Sequence, residues 1–387
     1  MVEPSPERST FAPVAASYAL QGLGYAVVVT ALPSFQSRHA LDATMVAVIL
    51  LGVCVAASLG SILADLVAVR AGSRSAVRVG FLLQVAGLAV AALSPSVVLF
   101  IAAIAVYGIG LGAIDASSNM QGVLVERRID RPALGRFFAA YTVGAIVGAV
   151  AMSLALALTL GAVAALLVAA ALQVVLVLVV VPRLDGTRAA RPPRDERSAP
   201  TAALPRAPIV ALGLVVLAAF TVDAGVSTWS SVHLTALGVG AAVAPLGYAL
   251  YQAAVLASRL GTDPLTRRIG RSGTAVAGVA VGVLGGLVVA LVPGSAAALV
   301  GFALSGLAVG VLVPVAFGAA GDVLPARSDE VIARVNLFNY GGALLGAVGI
   351  GALIDGVGGL AFLIPAVILL AAVAGVRVMR RQPVPVA

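Results

Sequence analysis

Residues 97–124 read VVLFIAAIAVYGIGLGAIDASSNMQGVL, a mostly apolar stretch in which Asp115 is the one charged side chain. A helix needs roughly 20 predominantly apolar residues to cross a bilayer, because it rises about 1.5 Å per residue through a hydrocarbon core about 30 Å thick. Backbone polar groups in that core must be hydrogen-bonded within the segment or in a closed barrel. The stretch therefore predicts a transmembrane helix that carries an acidic side chain inside the membrane.

Stretches of this kind recur along the whole chain. Hydrophobic residues make up 61% of the 387 residues and charged residues 10%, whereas a soluble domain carries about 25% charged residues. The stretches are too long and too uniformly apolar for the roughly ten-residue strands of a membrane barrel. The sequence therefore predicts an all-α membrane protein with twelve transmembrane spans, numbered here in chain order: 12–34, 44–68, 77–94, 97–124, 137–158, 161–182, 208–232, 242–261, 273–292, 296–320, 331–354 and 357–377.

The basic residues predict the orientation of these spans. All 24 of them are Arg, and they concentrate after the even-numbered spans, whereas Arg38 is the one Arg in a loop predicted outside. Cytoplasmic loops of membrane proteins are enriched in positive charge. We therefore expect a multi-pass protein of the cytoplasmic membrane with both termini cytoplasmic. The net charge of +8 follows from this topology and predicts no nucleic-acid partner, because separate loops form no single basic face.

Similar segments that lie at one fixed distance along the chain indicate an internal repeat. Residues 183–207 are rich in Arg and Pro and predict a cytoplasmic linker between two six-helix bundles, 1–182 and 208–387. A spacing of 198 residues lays AAYTVGAIVGAVAM (139–152) on LFNYGGALLGAVGI (337–350). Because each half has an even number of spans, this predicts a parallel repeat, with substrate bound between the halves near the membrane midplane.

The same spacing aligns DLVAVRAG (65–72) after span 2 with DPLTRRIG (263–270) after span 8. The chain combines twelve predicted spans, a basic linker and this acidic-basic-Gly element, and in these features it resembles the major facilitator superfamily. The resemblance covers essentially the whole chain. Three further segments resemble the rhizopine-permease-like branch of bacterial inner-membrane transporters. They are GIGLGAIDASSNMQGVLVE (108–126), TVDAGVSTWSSVHL (221–234) and ARVNLFNYGGALLGAVGIGALID (333–355).

The family resemblance implies secondary transport by alternating access, with the two loop elements clamping the cytoplasmic side. Charged groups at a helix end can form ion pairs across the boundary between the two halves in one conformational state and be hydrated in the other state. The alternative explanation is that the same charges only fix the orientation of the spans in the membrane. The positions that correspond to the cytoplasmic gate are Asp65, Arg70, Gly72, Asp263, Arg268 and Gly270.

Two acids lie within predicted spans, Asp115 in span 4 and Asp223 in span 7. A charge at mid-membrane costs on the order of 2.5–3.5 kcal/mol, so such residues face a cavity or a partner. Because burial disfavours the ionised carboxylate, either acid could bind and release a proton as its hydration changes during transport. The alternative is a permanently protonated acid that hydrogen-bonds neighbouring helices together.

Polar side chains at helical spacing predict a substrate cavity, because residues three, four or seven apart share one face of a helix. Interhelical hydrogen bonding is the alternative role for each of them. Spans 3, 6, 9 and 12 are expected to face lipid, because their only large polar groups are Gln84 in span 3 and Gln173 in span 6. Trp229 is expected at the membrane interface. Besides the two acids, the predicted cavity residues are Tyr18, Gln21, Tyr25, Asn119, Ser227, Tyr248, Gln252, Asn336 and Asn339.

These features favour a monomeric secondary carrier of a small organic solute, coupled to protons and using no cofactor or metal. An enzyme is not expected, since the sequence has no phosphate-binding loop or metal-ligand cluster and its two His residues, His39 and His233, are far apart. A channel would need a selectivity ring or filter. A multidrug exporter and a non-transporting receptor or scaffold with the same fold stay open as alternatives.

Overall fold

The chain folds as a succession of helices, according to a computed structural model that describes residues 6–130, 133–186, 204–324 and 327–379. The helices are α1 (Pro6–Thr30), α2 (Leu32–His39), α3 (Ala43–Ala71), α4 (Ser73–Leu93), α5 (Val97–Ile129), α6 (Leu134–Ala157), α7 (Gly161–Val175), α8 (Arg206–Ala236), α9 (Pro245–Leu291), α10 (Ser295–Val323), α11 (Ser328–Leu344), α12 (Ile350–Val357) and α13 (Leu363–Met379). A π-helical turn, Leu345–Gly349, joins α11 to α12. The predicted all-helical class is confirmed for the described residues.

Ten helical segments of the described chain are long and apolar enough to cross a membrane. Eight of them are 20 to 33 residues long, which suits a single crossing. The other two, Pro245–Leu291 and Glu330–Val376, are 47 residues each. Each of these long segments covers two of the spans predicted from the sequence. The chain is therefore a multi-pass membrane protein.

The residues group into two compact units. The first consists of Met1–Ala40 and Val48–Pro200, and the second of Leu41–Ala47 and Thr201–Ala387. Most of the predicted linker, 187–203, lies outside the described residues. The division places the start of α3 with the second unit, which the sequence did not predict. There Ala43 N donates a hydrogen bond to Asp355 Oδ2 at 2.8 Å, and a carboxylate at a helix N-terminus stabilises the free backbone N–H groups.

Glycines let helix backbones touch inside the first unit. A Cβ atom added at Gly144 of α6 would lie 1.9 Å from the Ala19 carbonyl oxygen of α1. A Cβ atom at Gly112 of α5 would lie 1.8 Å from the Ala57 carbonyl oxygen of α3. Small residues of this kind allow the close helix packing that holds membrane bundles together without a hydrophobic driving force.

The second unit repeats these contacts 198 residues later. A Cβ atom at Gly342 of α11 would lie 2.2 Å from the Leu217 carbonyl oxygen of α8. One at Gly310 of α10 would lie 2.5 Å from the Val255 carbonyl oxygen of α9. In both cases the glycine and the residue it approaches are each 198 positions after their counterparts in the first unit.

Two glycines make the sharp turns at the predicted gate elements. Gly72, between α3 and α4, has φ 88° and ψ 155°, and Gly270, inside the long helix α9, has φ 74° and ψ 164°. This backbone region is essentially restricted to glycine, because a Cβ atom would clash with its own backbone. The conformation explains why both elements end in glycine, whatever the function of the charges before it.

Replacing Gly270 with alanine should therefore lower the free energy of unfolding by about 1–3 kcal/mol. An added Cβ at this position meets no other atom within 4 Å, so the cost comes from backbone strain alone. Thermal unfolding of the detergent-solubilised protein measures the effect. Gly261→Ala is the matched control, because Gly261 lies in the regular part of α9 with equally open space. Equal Tm values for the two variants would contradict the strained turn.

The expected interfacial position of Trp229 is wrong, and the two glutamines of the spans expected to face lipid point inward. Gln84 of α4 and Gln173 of α7 are fully buried, and Gln173 Nε2 donates to Gln84 Oε1 at 2.9 Å. An uncharged amide in hydrocarbon needs a partner, so these helices turn their polar groups inward and expose apolar ones. Trp229 is also fully buried, and its Nε1 donates to the Ala347 carbonyl at 2.8 Å, so it is a packing residue and not an interfacial anchor.

Candidate functional site

The first unit brings four of the predicted cavity residues together as two hydrogen-bonded pairs between α1 and α5. Gln21 Nε2 donates to Asp115 Oδ1, and the Tyr18 hydroxyl donates to Asn119 Oδ1 at 2.6 Å. Asp115 and Asn119 are four residues apart, one turn of α5, so the pairs lie one above the other.

The donor and acceptor residues of these pairs differ in their solvent exposure. Tyr18 and Gln21 are buried, at 2% exposure each, whereas Asp115 and Asn119 are exposed. Buried donors thus fix one face of each acceptor and leave the other face free for a ligand. Tyr25, one turn beyond Gln21 on α1, is half-buried. This group can hold a carboxylate in either protonation state, because the Gln21 amide donates to both.

The second unit holds a similar group between α8 and α9. The Tyr251 hydroxyl donates to Asp223 Oδ1 at 2.6 Å, and Gln252 Nε2 donates to the Tyr248 hydroxyl at 2.6 Å. Tyr248 and Tyr251 are fully buried and stack with ring centroids 6.2 Å apart. Asp223 is half-buried. A short hydrogen bond from a neutral phenol stabilises an ionised carboxylate without supplying a counter-charge.

The sequence analysis missed one charged residue of this unit, Arg259. Arg259 lies on α9, seven residues and therefore two turns after Gln252 on the same face. It is half-buried and interacts electrostatically with Asp223. A single Arg inside span 8 was the available signal, since the other Arg residues of that region follow the span. The structure thus adds a cation to the predicted acid of this unit.

Several serine hydroxyls on these helices are buried without a hydrogen-bond partner in the described part of the chain. They belong to Ser118 on α5 and to Ser227 and Ser230 on α8. Ser227 and Ser230 follow Asp223 by four and seven residues, so all three share one face of α8. A buried unpaired hydroxyl costs about 1–3 kcal/mol, which a bound polar ligand or water would offset.

The remaining predicted residues are not part of these hydrogen-bonded groups. Asn336 and Asn339 of α11 are half-buried, and among the described contacts neither bonds to Asp223 or its partners. Asp65, Arg70, Asp263 and Arg268 are exposed at helix ends. Within the described residues these four make no hydrogen bond or ion pair with one another.

Metal chemistry finds no support in the part of the chain that the structure describes. No group of three or more His, Cys, Asp or Glu side chains there could hold a metal ion. The two His residues contact aromatic rings instead: His39 stacks on Phe100, and His233 packs against Phe302 and Phe362.

Sequence comparison relates the chain to known membrane proteins. The profile of the Major Facilitator Superfamily matches residues 14–305, well over half of the chain. An uncharacterized MFS-type transporter of Yersinia pestis is 27% identical over 336 residues, covering 87% of this chain and 86% of the relative. The membrane protein MosC of Rhizobium meliloti is 24% identical over 361 residues, covering 91% of this chain and 85% of MosC.

Structural comparison gives the same fold. A bacterial homolog of the human lysosomal transporter Spinster, in an inward-facing and unoccupied conformation, superimposes with a TM-score of 0.77 at 13% identity, covering 99% of this chain and 100% of that one. The nucleoside transporter NupG superimposes with a TM-score of 0.70 at 14% identity, covering 97% and 100%. At such low identity the likeness concerns the fold alone.

Proposed function

The chain belongs to the major facilitator superfamily of membrane transporters, and we propose that it is a secondary active transporter that moves a small organic solute by alternating access, driven by protons. The membrane is the cytoplasmic membrane, with both termini on the cytoplasmic side and the protein working as a monomer. The Arg-rich loops after the even-numbered spans support this orientation. The family match, confirmed over residues 14–305, supports the class of activity.

The observation that carries proton coupling is the setting of the two acids. Asp115 and Asp223 lie in membrane-spanning helices, and each accepts a hydrogen bond from an uncharged donor, Gln21 or Tyr251. In the described residues, Tyr251 and Arg259 are the groups that act on Asp223, while Gln21, Tyr18 and Tyr107 interact with Asp115. No cation neutralises Asp115 within this set, so taking up a proton is the simplest way to remove its charge from the membrane.

We also propose that the chain has twelve spans in two related six-helix halves. The two 47-residue segments each supply length for two crossings. The glycine contacts that recur after 198 residues support the relation between the halves. A parallel repeat of this kind places each element of one half on the same side of the membrane as its counterpart.

The charged loop residues Asp65, Arg70, Asp263 and Arg268 are proposed to form the cytoplasmic gate. Their exposure at helix ends leaves them available for pairing in another state of the transport cycle. Gly72 and Gly270 form the turns at which the two loop elements, 65–72 and 263–270, end.

A two-step experiment tests the proposed function. A thermal-shift screen of the purified protein against metabolite and drug libraries identifies a ligand, because ligands that bind the folded state raise its Tm. Uptake of that ligand, radiolabelled, is then measured in proteoliposomes with and without an inward proton gradient. We expect accumulation with the gradient and its loss on addition of a protonophore.

Two outcomes contradict the proposal in different ways. Flux that is the same with and without the gradient rejects proton coupling. A ligand that stabilises the protein but never crosses the membrane rejects transport and favours a receptor that keeps the fold.

A further inference from the structure

We propose that a groove between α8 and α13 binds an anionic phospholipid of the surrounding membrane, with the phosphate of the lipid at Arg206 and an acyl chain along the groove. None of the residues that line this groove belongs to the polar groups around Asp115 or Asp223. The inference therefore goes beyond transport and does not depend on it. It is based on the lining of the groove, on the charge at one end of it, and on the direction in which it runs.

The groove is an open, apolar channel on the surface of the second unit. Its volume is about 500 Å³, within the range of roughly 300–1,000 Å³ that is usual for sites that hold small molecules. The lining residues are Arg206, Ala207, Val210, Ala211 and Leu214 on α8, and Ala374 and Gly375 on α13. Apart from Arg206, all of them are apolar. The groove therefore matches a hydrocarbon chain better than a polar solute.

Small residues create this groove. Gly375 lets α13 touch α8, because a Cβ atom there would lie 2.2 Å from the Ala211 carbonyl oxygen. Next to Gly375, Ala374 is exposed, and its single methyl group leaves the space beside the contact open. Val210 and Leu214 also line the groove and are 48% and 41% exposed. Such side chains on a membrane-spanning helix contact lipid, whose acyl chains are as apolar as leucine.

The end of the groove at Arg206 carries a positive charge that the described part of the chain does not neutralise. Arg206 is exposed, and among the described residues it makes no ion pair or hydrogen bond. It is the first residue of α8, whose first turn has no acidic residue and no side-chain cap. The free backbone N–H groups of that turn add partial positive charge. A guanidinium beside such a turn favours a phosphate group.

The charge and the apolar lining follow each other in the order that a phospholipid requires. Arg206 and Leu214 are eight residues apart on α8, which is about 12 Å at 1.5 Å per residue. Arg206 lies just before the predicted span 208–232, at the level of the lipid headgroups, and Leu214 lies inside that span. Basic pockets between membrane helices bind acidic headgroups in this way. A zwitterionic lipid would bring its own cation towards Arg206, so we expect selectivity for a lipid with net negative charge.

Lipid titration of the full-length protein in detergent tests this inference. Thermal unfolding and native mass spectrometry are carried out with phosphatidylglycerol, with phosphatidylethanolamine and with inorganic phosphate. We expect phosphatidylglycerol to raise the Tm and to stay bound in the mass spectrum, because a ligand of the folded state stabilises it. The other two should have much smaller effects.

Two results of this titration would overturn the inference. Equal effects of the two lipids would show that the headgroup charge plays no part and that the groove makes only an unselective lipid contact. A shift of the same size with inorganic phosphate alone would show a site for a free anion, in which the acyl chain has no role.

Two variants assign the effect to the two ends of the site. Arg206→Gln should weaken phosphatidylglycerol binding about fivefold, whereas Arg267→Gln, at an exposed Arg of α9, should leave it unchanged. Ala374→Phe fills the groove and should weaken binding while Arg206 keeps its charge. Ala296→Phe, at an exposed Ala of α10, is its control. Both altered positions are exposed, so the variants should fold. Phosphatidylglycerol binding that is unchanged in Arg206→Gln and in Ala374→Phe would overturn the inference.

Discussion

Proton-driven accumulation of the substrate is expected to disappear in an Asp115→Asn variant. With a pH gradient of about one unit, one proton per substrate can hold a concentration ratio of about tenfold, because that gradient is worth about 1.4 kcal/mol. Asparagine can still accept the hydrogen bond that Gln21 donates to Asp115, but it cannot carry a proton. The ratio should therefore fall to about one, while exchange of labelled for unlabelled substrate continues.

Asp42→Asn is the control for this loss. Asp42 lies just before α3, where its Oδ1 accepts a hydrogen bond from Met45 N at 2.7 Å, and it should keep normal accumulation. Asp223→Asn should lose accumulation as well if both acids carry protons in the cycle. Unchanged accumulation in both membrane-acid variants would reject the assignment of protons to these residues.

Replacing Gly144 with valine should cost about 3 kcal/mol or more of stability. The first carbon of the new side chain would lie 1.9 Å from the Ala19 carbonyl oxygen, and backbone cannot move aside as a flexible side chain can. Helices α1 and α6 would have to separate, which would also disturb Tyr18 and Gln21. We expect a strongly lowered Tm and little protein in the monomer peak of size-exclusion chromatography.

The matched control for this effect is Gly135→Val on the same helix. A Cβ at Gly135 meets no atom within 4 Å, so the variant should unfold close to the wild type. Gly342→Val in α11 should resemble Gly144→Val, because its Cβ would lie 2.2 Å from the Leu217 carbonyl oxygen. A tolerated valine at Gly144 would contradict the backbone contact between α1 and α6.

Much of the fold could be predicted from the sequence, because the bilayer imposes simple rules on composition and length. Spans such as 97–124 stand out by hydropathy alone, and the family was recognisable from short elements such as 65–72. Side-chain direction was harder to predict. Trp229 was expected at the membrane interface, but it turns inward to a hydrogen-bond partner on another helical segment, as Gln84 and Gln173 also do. Such partners are distant in sequence, so no local pattern reveals them.

The candidate site was predictable in part for the same reason. Helical spacing grouped Tyr18 with Gln21 and Asp115 with Asn119, but it could not tell that α1 faces α5 at these residues. Arg259 was passed over because Arg residues were interpreted as markers of topology. Its interaction with Asp223 depends on the packing of α8 against α9, which only the folded chain shows.

The spacing at which the glycine contacts recur also relates the charged residues of α8 and α9 to positions in the first unit. Counting back 198 positions from Asp223 and Arg259 gives Tyr25 and Ser61. The earlier segment therefore has an uncharged phenol and an alcohol where the later one has opposite charges. Counting forward 198 positions from Asp115 gives Val313, so each half carries its membrane acid where the other half has an uncharged residue.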